Sequence, residues 1–307
     1  MFNVGINNMT VANKVLVIGL GSMGYGIASS LIKNGHEVYG VDKDKKHIDR
    51  LKKAGGKNDE LSKICKIVDV VVIVVLNSVQ TEQILFGKNG IVEQLNKETL
   101  IIVCTTVSPQ FAREMAEKCN QYNIHYLDAP MSGGSVKSEN GQLSYMVSGS
   151  KLALQKAHLI LEATAEKVFQ LGEEPGKGSA MKSVNQMLAG IHISAMAEAL
   201  TFGITQGIEP EKFLEVISKC AGTSWMLENR APHIIDNDYT PKSSINIWPK
   251  DLGIVLDIAK NSNFSAPLTA IAMQQFVAAA GSGLANEDDA AVAKVYAKNA
   301  GVNLPKN

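Results

Sequence analysis

Four consecutive aliphatic residues, Val15-Leu16-Val17-Ile18, run without a break into Gly19-Leu20-Gly21-Ser22-Met23-Gly24, and a helix-forming stretch comes directly after. No other feature restricts the fold as much. An apolar, β-branched run of this length suits a strand buried on both faces. Gly19 permits a tight turn, Gly21 lets a ligand's phosphates approach the backbone, and Gly24 lets the helix pack close to the strand. The helix N-terminus then offers N–H groups and a partial positive charge to an anion. The glycine spacing alone is a weak signal; the strand before it and the helix after it give it meaning. The next predicted strand, Val38–Val41, ends at Asp42, eighteen residues beyond Gly24. A carboxylate there accepts hydrogen bonds from an adenine ribose and repels a 2′-phosphate. The segment therefore predicts a site for NAD, held by Gly19, Leu20, Gly21, Ser22, Met23, Gly24 and Asp42. Lys43 and Lys45 keep NADP open as the alternative.

The same grammar repeats to about Leu171. Short apolar runs at Val70–Val75 and Leu100–Val103 alternate with helical segments at Ser22–Lys33, Asp44–Lys53 and Pro109–Gln121. Strands alternating with helices predict βαβ units and a doubly wound, mainly parallel sheet. After Gly172-Glu173-Glu174-Pro175-Gly176 the character changes. Ser179 to Gln206 reads as one helix of about 40 Å, and shorter helices are expected at Glu209–Cys220, Pro249–Lys260, Pro267–Ala280 and Asp288–Asn299. The expected architecture is an α/β Rossmann domain over residues 14–174, then an all-α domain over 175–307, joined through a long interdomain helix.

Charge and cysteine usage exclude several functions. Thirty basic and thirty acidic residues cancel, so no global field draws the chain to nucleic acid or an anionic membrane. The four cysteines have no CxxC spacing and no companion histidines, which predicts neither a disulfide framework nor a metal site. Met1 to Ala12 lack a secretory pattern, and no stretch reads as the roughly 20 apolar residues of a membrane span. A cytoplasmic protein is expected.

Three later segments carry chemistry. In Asp128-Ala129-Pro130-Met131-Ser132-Gly133-Gly134, a serine and two glycines can turn a hydroxyl and successive N–H groups onto an anion. In Lys182-Ser183-Val184-Asn185-Gln186, the lysine and both amides stand at i, i+3 and i+4 on one helix face. Met181, Val184, Met187 and Leu188 make the surroundings apolar, which disfavours the ammonium and brings its pKa toward the range useful for proton transfer. A lysine snorkelling at a helix start is the plainer alternative. In Trp248-Pro249-Lys250-Asp251-Leu252, Pro249 reads as the first residue of a helix, with Lys250 in a first turn whose dipole disfavours a cation. His125, His158, His192 and His233 read as structural or solvent-facing.

In this order the segments resemble the β-hydroxyacid dehydrogenase family, which includes 3-hydroxyisobutyrate, tartronate semialdehyde and 6-phosphogluconate enzymes. The resemblance runs from Lys14 to about Gly301 and includes Thr105-Thr106-Val107-Ser108-Pro109, where the family has Ser-Thr-x-x-Pro. It implies that Lys182 is the catalytic acid/base, that Ser132, Gly133 and Gly134 hold a substrate carboxylate, and that Leu76, Thr106 and Lys250 lie against NAD. The family has asparagine four residues after the lysine; here that place is Gln186, with Asn185 before it. Either amide could orient the substrate. Lys182 to His192, Glu228 to His233 and Asp238 to Pro241 are most similar to members that oxidise C2 of a four-carbon sugar acid. A 3-hydroxyisobutyrate or glyoxylate-reducing enzyme is the nearest rival, and a non-catalytic NAD-binding sensor a more distant one. The resemblance further implies a homodimer or homotetramer acting on a small hydroxyacid.

Overall fold

A computed structural model describes residues 12–306; the segment read for a secretory pattern, Met1 to Ala12, lies outside them but for its last residue. The chain forms two compact units that divide between Ser179 and Ala180.

The first unit runs β1 (Lys14–Ile18), α1 (Ser22–Lys33), β2 (Glu37–Val41), α2 (Lys45–Lys53), α3 (Leu61–Ile64), β3 (Val70–Ile73), α4 (Ser78–Phe86), β4 (Leu100–Val103), α5 (Pro109–Gln121) and β5 (His125–Asp128). The five strands form one parallel sheet in the order β2-β1-β3-β4-β5. Alternate strand residues point to opposite faces. Val15, Val17, Val72 and Ile102 pack with Ile27 and Leu31 of α1, whereas Leu16, Ile18, Ile73 and Ile101 pack with Leu85 of α4 and Met115 of α5. Both faces are covered, which is why the strands read as unbroken apolar runs. From β1 the chain builds outward to β2 and then crosses over to β3. The winding therefore reverses beside β1, and ligands of such sheets bind at the carboxyl ends of the strands near that reversal.

A second sheet, unmarked in the sequence, is built after β5. β6 (Met131–Ser132), α6 (Gly134–Glu139), β7 (Leu143–Val147), α7 (Lys151–Thr164) and β8 (Ala165–Gln170) supply its three strands, which run in mixed directions. Asp128, at the end of β5, pairs by its backbone with Ser148. Its fully buried carboxylate accepts hydrogen bonds from Ser148 Oγ (3.0 Å), Gly176 N (2.9 Å), Ser179 N (2.8 Å) and Ser179 Oγ (2.6 Å). These are the amides with which the next helix begins, and an acid is a natural partner for them.

That helix, α8 (Lys177–Thr205), carries the chain into the second unit, which continues with α9 (Pro210–Ile217), α10 (Trp225–Ile235), α11 (Ile247–Asn261), α12 (Pro267–Ala279) and α13 (Ala293–Ala300). Contrary to the sequence expectation, α8 is long and apolar enough to cross a bilayer by length and composition. Here Ile193, Met196, Ala197 and Leu200 pack with Leu227 and Ile234 of α10, Trp248 and Leu252 of α11 and Phe276 of α12. Two further expectations need correction. α10, with Pro232 inside it, is an additional helix. α11 starts at Ile247, so Pro249 is its third residue and not its first.

Replacing Asp128 with alanine strands buried donors at the start of α8. Urea unfolding should show a loss of about 3 kcal/mol, with Asp128→Asn retaining part of it; a loss below about 1 kcal/mol would contradict this role.

Candidate active site

The glycine turn occupies the carboxyl end of β1, and each glycine has its own reason to be there. Gly19 has a positive φ of 90°, and a Cβ on it would stand 2.2 Å from Val74 O. A Cβ on Gly24 would stand 1.8 Å from Gly19 O, so only glycine lets α1 rise this close to the turn. Gly21 faces open space. It is the residue before α1, and no side chain caps the helix start. An uncapped helix N-terminus reached over a bare glycine is a fitting cradle for a pyrophosphate.

Asp42 comes directly after β2. Its Oδ2 accepts from Leu20 N at 2.6 Å, its Oδ1 accepts from Asp44 N at 2.8 Å, and His47 Nδ1 lies 3.2 Å from Oδ1. Burial works against its ionisation, but the Asp44 and Leu20 amides and the His47 ring outweigh it and hold its pKa below the ordinary carboxylate value. It therefore braces the glycine turn and stands there as an anion.

The remaining candidates of the first unit stand at the ends of the neighbouring strands. Leu76 lies just past β3, is 68% exposed, and its N–H donates to Gln80 Oε1 at 3.0 Å. Thr106 lies half-buried past β4. Ser132 ends β6, the strand after β5, and Gly133 and Gly134 both take positive φ (141° and 76°). The helix they open, α6, docks on α1: Ser138 Oγ donates to Met23 O at 2.7 Å, and Gly26 leaves room for that serine. Four of the five parallel strands, β1 to β4, thus lead into candidate residues at one edge of the sheet, and α6 ties the serine-glycine segment to the glycine turn.

The second unit gathers the other group. Lys182 is buried at 8% exposure. Burial pulls its pKa down to about 8, against the charge of Asp251, which favours the ammonium, and with a smaller push from Lys250. Lys250 Nζ is 2.8 Å from Asp251 Oδ1, and Gln186 Nε2 donates to Asp251 Oδ2 at 2.6 Å. Asn185 Nδ2 donates to Gln186 Oε1 at 2.9 Å. Gly190 permits this approach of α8 and α11, since a Cβ on it would stand 2.9 Å from Leu252. Asp251, 3% exposed, is the member that sequence reasoning missed. Its only signal was an acid beside a lysine at a helix start. Of the histidines, His233 is buried on Asp288 (2.8 Å) and His125 pairs with Glu98 (2.7 Å), which suits structural roles.

Two family models match the chain: the NAD-binding domain of 6-phosphogluconate dehydrogenase over residues 14–172, and the NAD-binding domain of NADP-dependent 3-hydroxyisobutyrate dehydrogenase over 176–296. An L-threonate dehydrogenase of Cupriavidus necator is 42% identical over 96% of this chain and 99% of its own length. One from Escherichia coli K12 is 40% identical over 94% and 95%. The crystal structure of a 3-hydroxyisobutyrate dehydrogenase from Salmonella typhimurium superposes with a TM-score of 0.87 at 38% identity, covering 92% of this chain and 99% of that one. The chain belongs to this family of NAD-dependent hydroxyacid dehydrogenases. The expected architecture, a Rossmann-type parallel sheet followed by a helical domain, is that of the family.

Removing the Asp42 carboxylate should move the ratio of NAD to NADP dissociation constants about tenfold toward NADP. Titration of Asp42→Ala with both nucleotides measures it, and an unchanged ratio would remove Asp42 from cofactor choice.

Proposed function

We propose that this protein oxidises C2 of a four-carbon sugar acid, L-threonate, to 2-oxotetronate, with Lys182 as the acid/base. The observation that carries the mechanism is the burial of Lys182, with its pKa near 8, beside Asp251 and Lys250. The substrate is supported by the L-threonate dehydrogenases that the chain resembles at 40–42% identity over nearly its whole length.

Lys182 in its neutral form takes the proton of the C2 hydroxyl and, as an ammonium, returns it in the reverse direction. Ser132 Oγ and the N–H groups after it hold the substrate carboxylate, which fixes C2. Gly19 to Gly24, Asp42, Leu76, Thr106 and Lys250 hold NAD, which supplies the two-electron acceptor for the hydride. Lysine supplies the charge that stabilises a developing alkoxide. Four free cysteines, three of them buried, suit a reducing cytoplasm.

A second reading, 3-hydroxyisobutyrate oxidation, is favoured by the solved structure of that name at 38% identity. Following NADH absorbance over a panel of hydroxyacids separates the two: turnover of L-threonate supports the first, and turnover of 3-hydroxyisobutyrate alone overturns it. Lys182→Ala should lose at least about a hundredfold in turnover while NAD binding persists. Because the base is the unprotonated amine, kcat/KM for oxidation should rise with pH through about 8 and level above it. A flat profile over that range, or near-normal turnover in the variant, would remove Lys182 from the chemistry.

The working form we propose is a homodimer or homotetramer. Leu268 and Ile271, one turn apart on α12, are 65% and 60% exposed, and Phe264 just before them is 62% exposed; an exposed apolar patch of this kind marks an association surface. Light scattering should give a mass of two or four chains, which the double change Leu268→Asp, Ile271→Asp lowers. A single-chain mass for the unaltered protein would contradict the assembly.

A further inference from the structure

Asn185 and Gln186 are adjacent amides beside the acid/base lysine, and either could meet the substrate by position alone. The hydrogen bonds of the second unit distinguish them. Asp251 is a buried carboxylate ion-paired to Lys250. An ionised carboxylate only accepts, so Gln186 must turn its NH2 toward it, as it does at 2.6 Å. That leaves Gln186 Oε1 as an acceptor, and Asn185 must turn its own NH2 toward Gln186, as it does at 2.9 Å. Each amide orientation is thus set by the one before. The open end of the line is Asn185 Oδ1, which accepts from no group among the described residues. Gln186 is buried with both ends of its amide engaged, whereas Asn185 is half-buried.

Asn185 stands three residues from Lys182 on the same helix face, about 4.5 Å farther along the axis. A fixed acceptor on the next turn of the same helix face as the base suits a hydroxyl donor on the carbon next to the one being oxidised, and repels a carboxylate. We propose that Asn185 Oδ1 accepts a hydrogen bond from this second hydroxyl, and that Gln186 is a positioning residue that passes on the orientation set by Asp251. The proposal rests on the sugar-acid reading above and deepens it: the site selects 2-hydroxyacids that carry a neighbouring hydroxyl. It also gives the Gln186 departure a physical sense, since the extra methylene lets the amide reach Asp251.

The test compares L-threonate with 2-hydroxybutanoate, which has the same carbon chain without the outer hydroxyls. Asn185→Ala should lower the ratio of their kcat/KM values at least about tenfold, mainly through KM for L-threonate. Calorimetric titration of L-threonate into the NADH-loaded protein should show the same loss of affinity. Gln186→Asn, too short for Asp251, should lower the ratio in the same sense, and the double variant should be no worse than Asn185→Ala. A ratio kept by Asn185→Ala, or losses that simply add in the double variant, would overturn the proposal and leave the sugar-acid reading standing. Turnover of 2-hydroxybutanoate without L-threonate by the unaltered protein would overturn both.

Discussion

A lysine ammonium removed from water costs free energy, and the chain meets that cost at Lys182 with a single carboxylate. Asp251 is shared: it pairs with Lys250, accepts from Gln186, and its charge raises the affinity of Lys182 for a proton. Burial pulls the pKa of Lys182 well below the ordinary lysine value, the charge of Asp251 works against that shift, and Lys250 adds a smaller push in the same direction as burial. A lysine fully paired with its own acid would stay an ammonium and could not act as a base near neutral pH; an unpaired one would be expensive to bury. The shared aspartate lies between these limits. The same aspartate fixes the direction of the two amides beside Lys182, so one carboxylate both restrains the fall in that lysine's pKa and sets the hydrogen-bond polarity.

In the first unit the governing constraint is steric. Gly19 and Gly24 exist because a Cβ on either would collide with backbone, and Asp42 ties the turn to the end of β2 through Leu20 N. The docking of α6 on α1 through Ser138 then sets the serine-glycine segment beside that turn. Every one of these contacts lies at the carboxyl edge of the sheet, where a strand order that reverses at β1 leaves room for a ligand.

Much of this was legible in the residues. β1, β3 and β4 read as strands because both their faces are buried, and α5 occupies the expected segment Pro109–Gln121, where the structure adds Ser108 as its capping residue. The second sheet was not legible. β6 has two residues, and β8, Ala-Glu-Lys-Val-Phe-Gln, is mostly exposed and has no apolar run to betray it. α10 hides behind an internal proline, and Pro249 suggested a helix start that lies two residues earlier. Among candidate groups, Lys182 was legible in the sequence, although Met181, Val184 and Leu188, the neighbours it was read from, are themselves about half exposed. Asp251 was not, because its role depends on a residue sixty-five positions away. Periodicity reports local faces; it carries no information on which helix a buried acid will meet.

The central claim is that hydride leaves C2 of the sugar acid as Lys182 takes the hydroxyl proton. L-Threonate carrying deuterium at C2 tests it most directly, with the label followed by mass spectrometry. The account predicts that the deuterium appears in the reduced cofactor and is lost from the product acid. Retention of the label in the product, with the reduced cofactor unlabelled, would contradict it.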